Sequence, residues 1–418
     1  MPPAHLPPAD ARNSLRVLFV SHTFPPAERD LASVGGMQRV ATDLCAALEI
    51  HPGVHMSSCV LRSSWRWIYV KTPPYLARTY LTISSLIQAG EVDVVLFSSM
   101  VTACLAVPLR HLLLRHGVRA VAIAHGLDVT WAMPPYTAAL RHVFCSLDAV
   151  AAVSRATGQA CLDRDLAPDR LHVIPNGIRV NRFASPPPVD RRRDLGDGVD
   201  SRPLPPDSFL LCSVGRQVPR KGFAWFVDTV MPTLPCNVHY WLAGTGPEGP
   251  NIRAAATRRA VGDRVRLLGQ VSEDFLGQLY RGSDLFIMPN VPMPGTMEGF
   301  GVVMLEAGLC GLPTIASRLE GIQDVISESE NGHLVESGSP AAFRAAIMRY
   351  HGSRASLEAA RERAVKRTRH FSWPVIADSY VGLMRGLCEG AGPAVLRRAT
   401  EYTAPPADAA TRQAPASA

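Results

Sequence analysis

Short apolar runs alternate with helix-length stretches in two series along this chain, and a segment dense in Pro, Asp and Arg (185–208) separates them. The first series reads as strands at 16–21, 92–97, 120–124, 149–153 and 172–174. The second reads at 209–214, 239–243, 265–268, 285–288, 314–316 and 333–335. Strands this short and this continuously apolar must be covered on both faces, so each series predicts a parallel sheet with helices on either side. The fold class is therefore α/β, with two Rossmann-like, doubly wound domains facing across a cleft. Ligands of such sheets bind beyond the carboxyl ends of the strands. The expected boundaries are a disordered N-terminus (1–14), a first domain (15–184), the linker (185–208), a second domain (209–370), a C-terminal helix (371–390) and a disordered tail (391–418).

Bulk properties limit the function classes. The chain has 418 residues, of which 47% are hydrophobic and 19% charged, as in ordinary globular proteins. Its net charge of +7 admits anionic partners. The basic residues are scattered, with no basic stripe and interleaved aromatics, which argues against nucleic acid. The nine cysteines occur singly and without a CxxC pair, the pattern of reduced thiols rather than disulfides or zinc. No signal peptide or membrane-length apolar run is evident, so a cytoplasmic protein is expected. Trp65-Arg66-Trp67-Ile68-Tyr69-Val70-Lys71 mixes aromatic and basic residues and is the one candidate for weak peripheral membrane contact, against the plainer reading of an acceptor-side loop or partly buried helix.

The richest segment is Met297-Glu298-Gly299-Phe300-Gly301-Val302-Val303-Met304-Leu305-Glu306. A turn without side-chain bulk leads into an apolar helix (302–309) that stops at Gly311 and Pro313. Its N-terminal N–H groups and dipole suit an anion such as a diphosphate. Glu298 and Glu306 then need neutral, hydroxyl-rich neighbours, a sugar and a ribose. Gly215-Arg216-Gln217-Val218-Pro219-Arg220-Lys221-Gly222 follows the first strand of the second series and puts two cations, Arg216 and Lys221, where a diphosphate could lie. Gly244-Thr245-Gly246-Pro247-Glu248-Gly249 fits GxGxxG, but Pro247 and Glu248 suit a strand-to-helix turn better than a pyrophosphate site. His125-Gly126 also follows a buried strand, and Ile174-Pro175-Asn176-Gly177 reads as turn chemistry.

Together with Gly35-Gly36-Met37-Gln38 and Leu268-Gly269-Gln270-Val271, these motifs make the chain resemble a family 4 glycosyltransferase from Arg16 to about Glu389. The resemblance implies the two-domain GT-B fold, with a C-terminal helix crossing back to the first domain. It implies retaining transfer of a sugar from a nucleoside-diphosphate sugar to an acceptor hydroxyl, with no metal and no other cofactor. The acceptor remains unassigned. By resemblance, Gly35 and Gly36 allow close approach to the donor phosphate, and Gln38 touches the acceptor. His125 lies near the transferred sugar, while Arg216 and Lys221 bind the diphosphate. Val271 meets the base through its backbone. Glu298 binds the donor sugar, Gly299, Phe300, Gly301 and Val302 supply backbone donors, and Glu306 binds the ribose. Arg179 and Glu320-Gly321 depart from the family pattern, where Asp and Gly-Gly are common. A GT-B phosphorylase, a sugar-nucleotide epimerase or a non-catalytic sugar-nucleotide sensor are the rival readings.

Overall fold

The computed structural model describes residues 14–26, 35–131, 134–183, 195 and 204–400. Two six-stranded sheets organise them. The first holds β1 (Leu15–Phe24), β2 (Val54–Arg62), β3 (Val94–Phe97), β4 (Arg119–Ala124), β5 (Ala149–Ala152) and β6 (Leu171–Val173) in the order β2-β1-β3-β4-β5-β6. The second holds β7 (Phe209–Val214), β8 (Val238–Ala243), β9 (Val265–Gly269), β10 (Leu285–Met288), β11 (Thr314–Ser317) and β12 (Gly332–Val335) in the order β12-β11-β10-β7-β8-β9. Every pairing between these strands is parallel. The strand order reverses between β1 and β3 in one sheet and between β7 and β10 in the other. A crevice opens at such a reversal, because the connections leave toward opposite faces of the sheet.

The strands visible in the sequence are those buried on both faces; β3, β5 and β10 are buried at every position. Strand β2 is missing from the sequence reading. It lies at the sheet edge, and VHMSSCVLR is mostly exposed or half-buried, so no apolar run announces it. The segment 65–71 opens a long helix, α2 (Trp65–Gln88), rather than a loop.

The chain does cross back. Ile178 donates its N–H to the Phe371 carbonyl at 2.8 Å, and Trp373 donates to Ile178 at 3.2 Å. The helix Trp373–Cys388 then packs on the first domain, burying Tyr380, Leu383 and Met384. Its Trp373 indole donates to Asp43 Oδ2 at 3.3 Å, on helix α1 (Gly36–Glu49). The tail expected to be disordered from 391 instead forms a further helix, Pro393–Thr400. Leu396 is buried there against Gly386, and Thr400 Oγ1 meets His172 Nδ1 at 3.3 Å. Leu396, the Thr400 contact and a hydrogen bond from Arg397 Nη2 to Pro168 O at 3.5 Å hold a sequence that composition alone assigned to solvent. Residues 1–13, 401–418 and most of the linker lie outside the described residues.

Gly177, read from the sequence as turn chemistry, has a packing role: a Cβ there would stand 2.5 Å from the Trp373 ring. Gly177→Ala should therefore force the crossing helix away and cost about 1–3 kcal/mol. Urea unfolding should show a lower midpoint with an unchanged slope; a midpoint equal to wild type would mean the approach is not tight.

Candidate active site in the cleft

Both strand-order reversals open onto the cleft, and the residues following β3, β4, β7 and β10 lie at the carboxyl ends of the strands there. After β7, the loop 215–222 rests on the GxGxxG segment. Gln217 accepts and donates along the 244–248 backbone: its N–H reaches Thr245 O at 3.0 Å, and its Nε2 reaches Gly244 O at 2.8 Å. A Cβ on Gly244 would lie 2.1 Å from the Gly215 carbonyl. Gly244 through Gly249 therefore brace the cationic loop, as a strand-to-helix turn would.

Arg216 projects from this loop, exposed and without a side-chain partner among the described residues. Lys221 turns inward instead. Its Nζ donates to Glu298 Oε2 at 2.6 Å, and Arg220 donates to the same oxygen. Asn290 Nδ2 adds a third donor to Oε2 at 3.2 Å. Burial alone would raise the Glu298 pKa, but the Lys221 and Arg220 charges outweigh it and bring it down to about 2. Glu298 Oε1 takes no hydrogen bond among the described residues, so one oxygen is anchored and the other can accept a hydroxyl. Glu298 contributes stability that is complete above the ordinary carboxyl range and is lost as pH falls toward 2.

The first domain meets this turn directly. A Cβ on Gly299 would lie 2.0 Å from the His125 carbonyl, and one on Gly126 would lie 3.0 Å from Gly299 Cα. The His125 and Glu298 motifs are thus brought into backbone contact. His125 Nε2 donates to Ser98 O at 2.9 Å, which leaves Nδ1 as the other ring nitrogen. Asp128 fixes the turn, accepting from His125 N–H at 2.8 Å and Met100 N–H at 3.1 Å. Gly35 caps α1, and a Cβ on Gly36 would meet no atom of the described residues within 4 Å.

Gln38 is 3% exposed, and its amide serves Gly35 N–H at 3.3 Å and Ser63 O at 3.4 Å, so it braces the start of α1. Glu306, expected at the ribose, is 1% exposed and already satisfied. Oε1 accepts from Arg39 Nη1 at 2.7 Å and from Arg182, and Oε2 accepts from Tyr280 OH at 2.9 Å. A carboxylate offers about four acceptor positions, so roughly one remains. Val302 lines a small pocket with Arg39, Asp43, Arg182 and Trp373, while Phe300 is buried against Phe371. The helix Val302–Leu309 first closes a turn with Met304 N–H on Gly301 O at 3.0 Å, so the preceding N–H groups lie at its open end. Val271 stands apart from these residues, half-buried just after β9 at the sheet edge.

Sequence reasoning missed Arg220, Asn290, Arg39, Arg182 and Tyr280 as partners of the two glutamates. Arg220 was quoted beside Lys221, and its adjacency was the available signal; Arg39 pairs across 267 positions and carried none. It also missed His22 at the end of β1. His22 is buried with Nδ1 3.4 Å from Ser99 Oγ, and burial with the nearby His125 pushes its pKa down to about 4, so it is neutral.

Residues 34–182 match the family described as Glycosyltransferase Family 4, and residues 208–352 match Glycosyl transferases group 1. A GDP-mannose-dependent alpha-(1-6)-phosphatidylinositol monomannoside mannosyltransferase of Mycolicibacterium smegmatis is 27% identical, over 79% of this chain and 88% of its own length. A D-inositol 3-phosphate glycosyltransferase of Acidothermus cellulolyticus is 30% identical over 59% of this chain and 56% of that protein. Among solved structures, the sucrose-phosphate synthase of Thermosynechococcus elongatus superposes with a TM-score of 0.70 at 21% identity, covering 90% of this chain and all of that one. With both halves matched, the two sheets facing across a cleft and the helix crossing back, the chain belongs to the family 4 glycosyltransferases and has the GT-B fold.

Proposed function

We propose that this chain transfers a sugar from a nucleoside-diphosphate sugar to an acceptor hydroxyl, with retention of configuration and without a metal ion. The observation that carries the reading is the division of labour after β7 and β10. Among the described residues Arg216 has no side-chain partner, Lys221 and Arg220 converge on one oxygen of Glu298, and the other oxygen takes no hydrogen bond. Breaking the anomeric C–O bond puts negative charge on the departing diphosphate and positive charge on the sugar ring. Arg216, the remaining N–H groups of Lys221 and the start of the Val302–Leu309 helix supply positive potential for the first. Each well-aimed donor is worth about 3 kcal/mol, on the order of a hundredfold in rate. Glu298 Oε1 holds a hydroxyl of the donor sugar.

These fixed cations do what a divalent ion does for other leaving phosphates, which supports the metal-free reading. No side chain at the turn is poised as a covalent nucleophile. The acceptor oxygen attacks from the face the phosphate leaves, and the departing phosphate oxygen takes the acceptor proton. Contact between the His125 turn and Gly299 excludes water from that exchange. The names of the two relatives point to GDP-mannose as the first donor to test and to inositol-bearing compounds as the first acceptors.

The membrane reading is part of this proposal. Helix α2 contains no Asp or Glu, and it exposes Trp67, Tyr69 and Val70 beside Arg66 and Lys71. Trp67, Lys71, Arg78 and Leu81 share a stripe at helical spacing, which suits the surface of an anionic bilayer. Among the described residues no helix is long and apolar enough to cross a membrane. All nine cysteines are unpaired, in keeping with a reducing compartment and attachment from the cytoplasmic face.

A thermal-shift screen of uridine, guanosine and adenosine diphosphates and their sugars, followed by mass spectrometry with acceptors, tests the reaction. Sugar isomerisation without an acceptor would indicate an epimerase; binding without turnover would indicate a sensor. Arg216→Ala should lower transfer on the order of a hundredfold with the circular dichroism spectrum unchanged, and a near-normal rate would remove the diphosphate assignment. Transfer should continue undiminished in excess EDTA; a strict requirement for added divalent ion would exclude the metal-free route. Sedimentation with phosphatidylglycerol vesicles should show salt-sensitive binding that Trp67→Ser with Tyr69→Ser weakens on the order of tenfold. Binding that ignores both salt and these changes would dismiss the membrane face.

A further inference from the structure

The loop after β11 contains a backbone outlier. Glu320 has φ +45°, a left-handed conformation that a Cβ disfavours and that glycine adopts freely. Such a conformation persists only where surrounding contacts hold it, and here the contacts are specific. The Glu320 carboxylate accepts the backbone N–H of Glu298 through Oε2. Next to it, Gly321 N–H donates to the Glu298 carbonyl at 3.1 Å. A Cβ on Gly321 would lie 2.1 Å from the Gly299 carbonyl, so the two turns are pressed together. Both backbone polar groups of Glu298 are therefore fixed by this loop, while its side-chain Oε2 is fixed by Lys221, Arg220 and Asn290.

The same loop reaches the first domain. Four residues on, Asp324 accepts from the Arg155 N–H at 3.0 Å and pairs with the Arg155 guanidinium. Glu320 thus lies between the domain contact and the turn that carries Glu298. Its Oε1 has no partner among the described residues. Burial raises the Glu320 pKa; the hydrogen bond from Glu298 opposes that, the Glu298 charge adds to it, and Arg220 opposes it.

We propose that Glu320 is a positioning residue that fixes the direction of Glu298 and so sets which donor sugar is accepted. The proposal rests on the glycosyl-transfer reading above. The strained non-glycine residue supplies, through its carboxylate, the acceptor that the Glu298 N–H would otherwise lack. Glu320 holds the Glu298 main chain directly, whereas Arg216 and Lys221 belong to the loop after β7 and the ribose group Glu306 is held by Arg39, Arg182 and Tyr280, so the effect falls on the sugar before the nucleotide.

Glu320→Gly and Glu320→Gln in the full chain separate the possibilities. Glycine relieves the backbone strain, so the Gly variant should melt no lower than wild type. Its kcat/KM for the nucleotide sugar should fall about 10- to 100-fold. Its Kd for the nucleoside diphosphate alone should stay unchanged, and its preference between epimeric sugars on the same nucleotide should narrow. Glutamine keeps a carbonyl acceptor and should recover most of the activity, within about threefold of wild type. Wild-type kcat/KM and wild-type donor preference in Glu320→Gly would overturn the proposal. So would a parallel loss of nucleoside-diphosphate affinity, which marks a merely structural loop. A wild-type chain that binds nucleoside diphosphate and transfers no sugar overturns the transfer reading itself, and this inference with it.

Discussion

A carboxylate with 1% of its surface exposed cannot remain ionised in a protein interior without partners, and Glu306 has three. Arg39 comes from α1 of the first domain, Arg182 from the chain leaving that domain, and Tyr280 from the helix Glu273–Gly282 of the second. The cleft closes around this buried cluster. Burial opposes the Glu306 charge, and Arg182 and Arg39 more than restore it, so its pKa lies below the ordinary range. Removing one member of such a cluster leaves an uncompensated charge and costs about 3–5 kcal/mol, more than a surface ion pair contributes. Helix α1, held to the crossing helix by Asp43 and Trp373, is tied to the second domain by this one carboxylate.

The second glutamate of the cleft works by a different arrangement. Among the described residues all side-chain donors to the Glu298 carboxylate fall on a single oxygen, and its backbone N–H and carbonyl are held by Glu320 and Gly321. A carboxylate fixed at one oxygen and at its main chain has little freedom left for the other. The E-x7-E spacing places one glutamate in the turn before a helix and the other inside it. Their contrast in partners is therefore a consequence of local structure. Glu298 faces the turn from the first domain, and Glu306 faces the domain contact.

Much of the fold was legible because buried parallel strands need unbroken apolar runs, and β3, β5 and β10 supply them. Helix Val302–Leu309 was legible for the same reason, with glycine at both ends. Strand β2 was not, since an edge strand in water needs no such run, and neither was the helix Pro393–Thr400, held chiefly by Leu396. At the cleft, the motifs named the loops but not the pairings. Arg216 and Lys221 look equivalent in sequence, yet one is free in solvent and the other is buried on Glu298. The resemblance gave Gln38 to the acceptor. Being the third residue of α1, it is used by the helix end itself.

The pairing of Glu306 also limits how a nucleotide can reach it. Three of about four acceptor positions are taken, so a ribose hydroxyl can use the last position on Oε2 or displace a cation. Arg182 is bound to Glu273 at 2.6 Å as well, and its neighbour Phe183 packs on Tyr280, so it is tied to the second domain twice. Among the partners of Glu306, Arg39 is the one anchored in the opposing domain. Separating the domains removes Arg39 and leaves Arg182 and Tyr280 in place. The two domains are therefore joined at Glu306 through Arg39, and without that contact its carboxylate keeps Arg182 and Tyr280 alone.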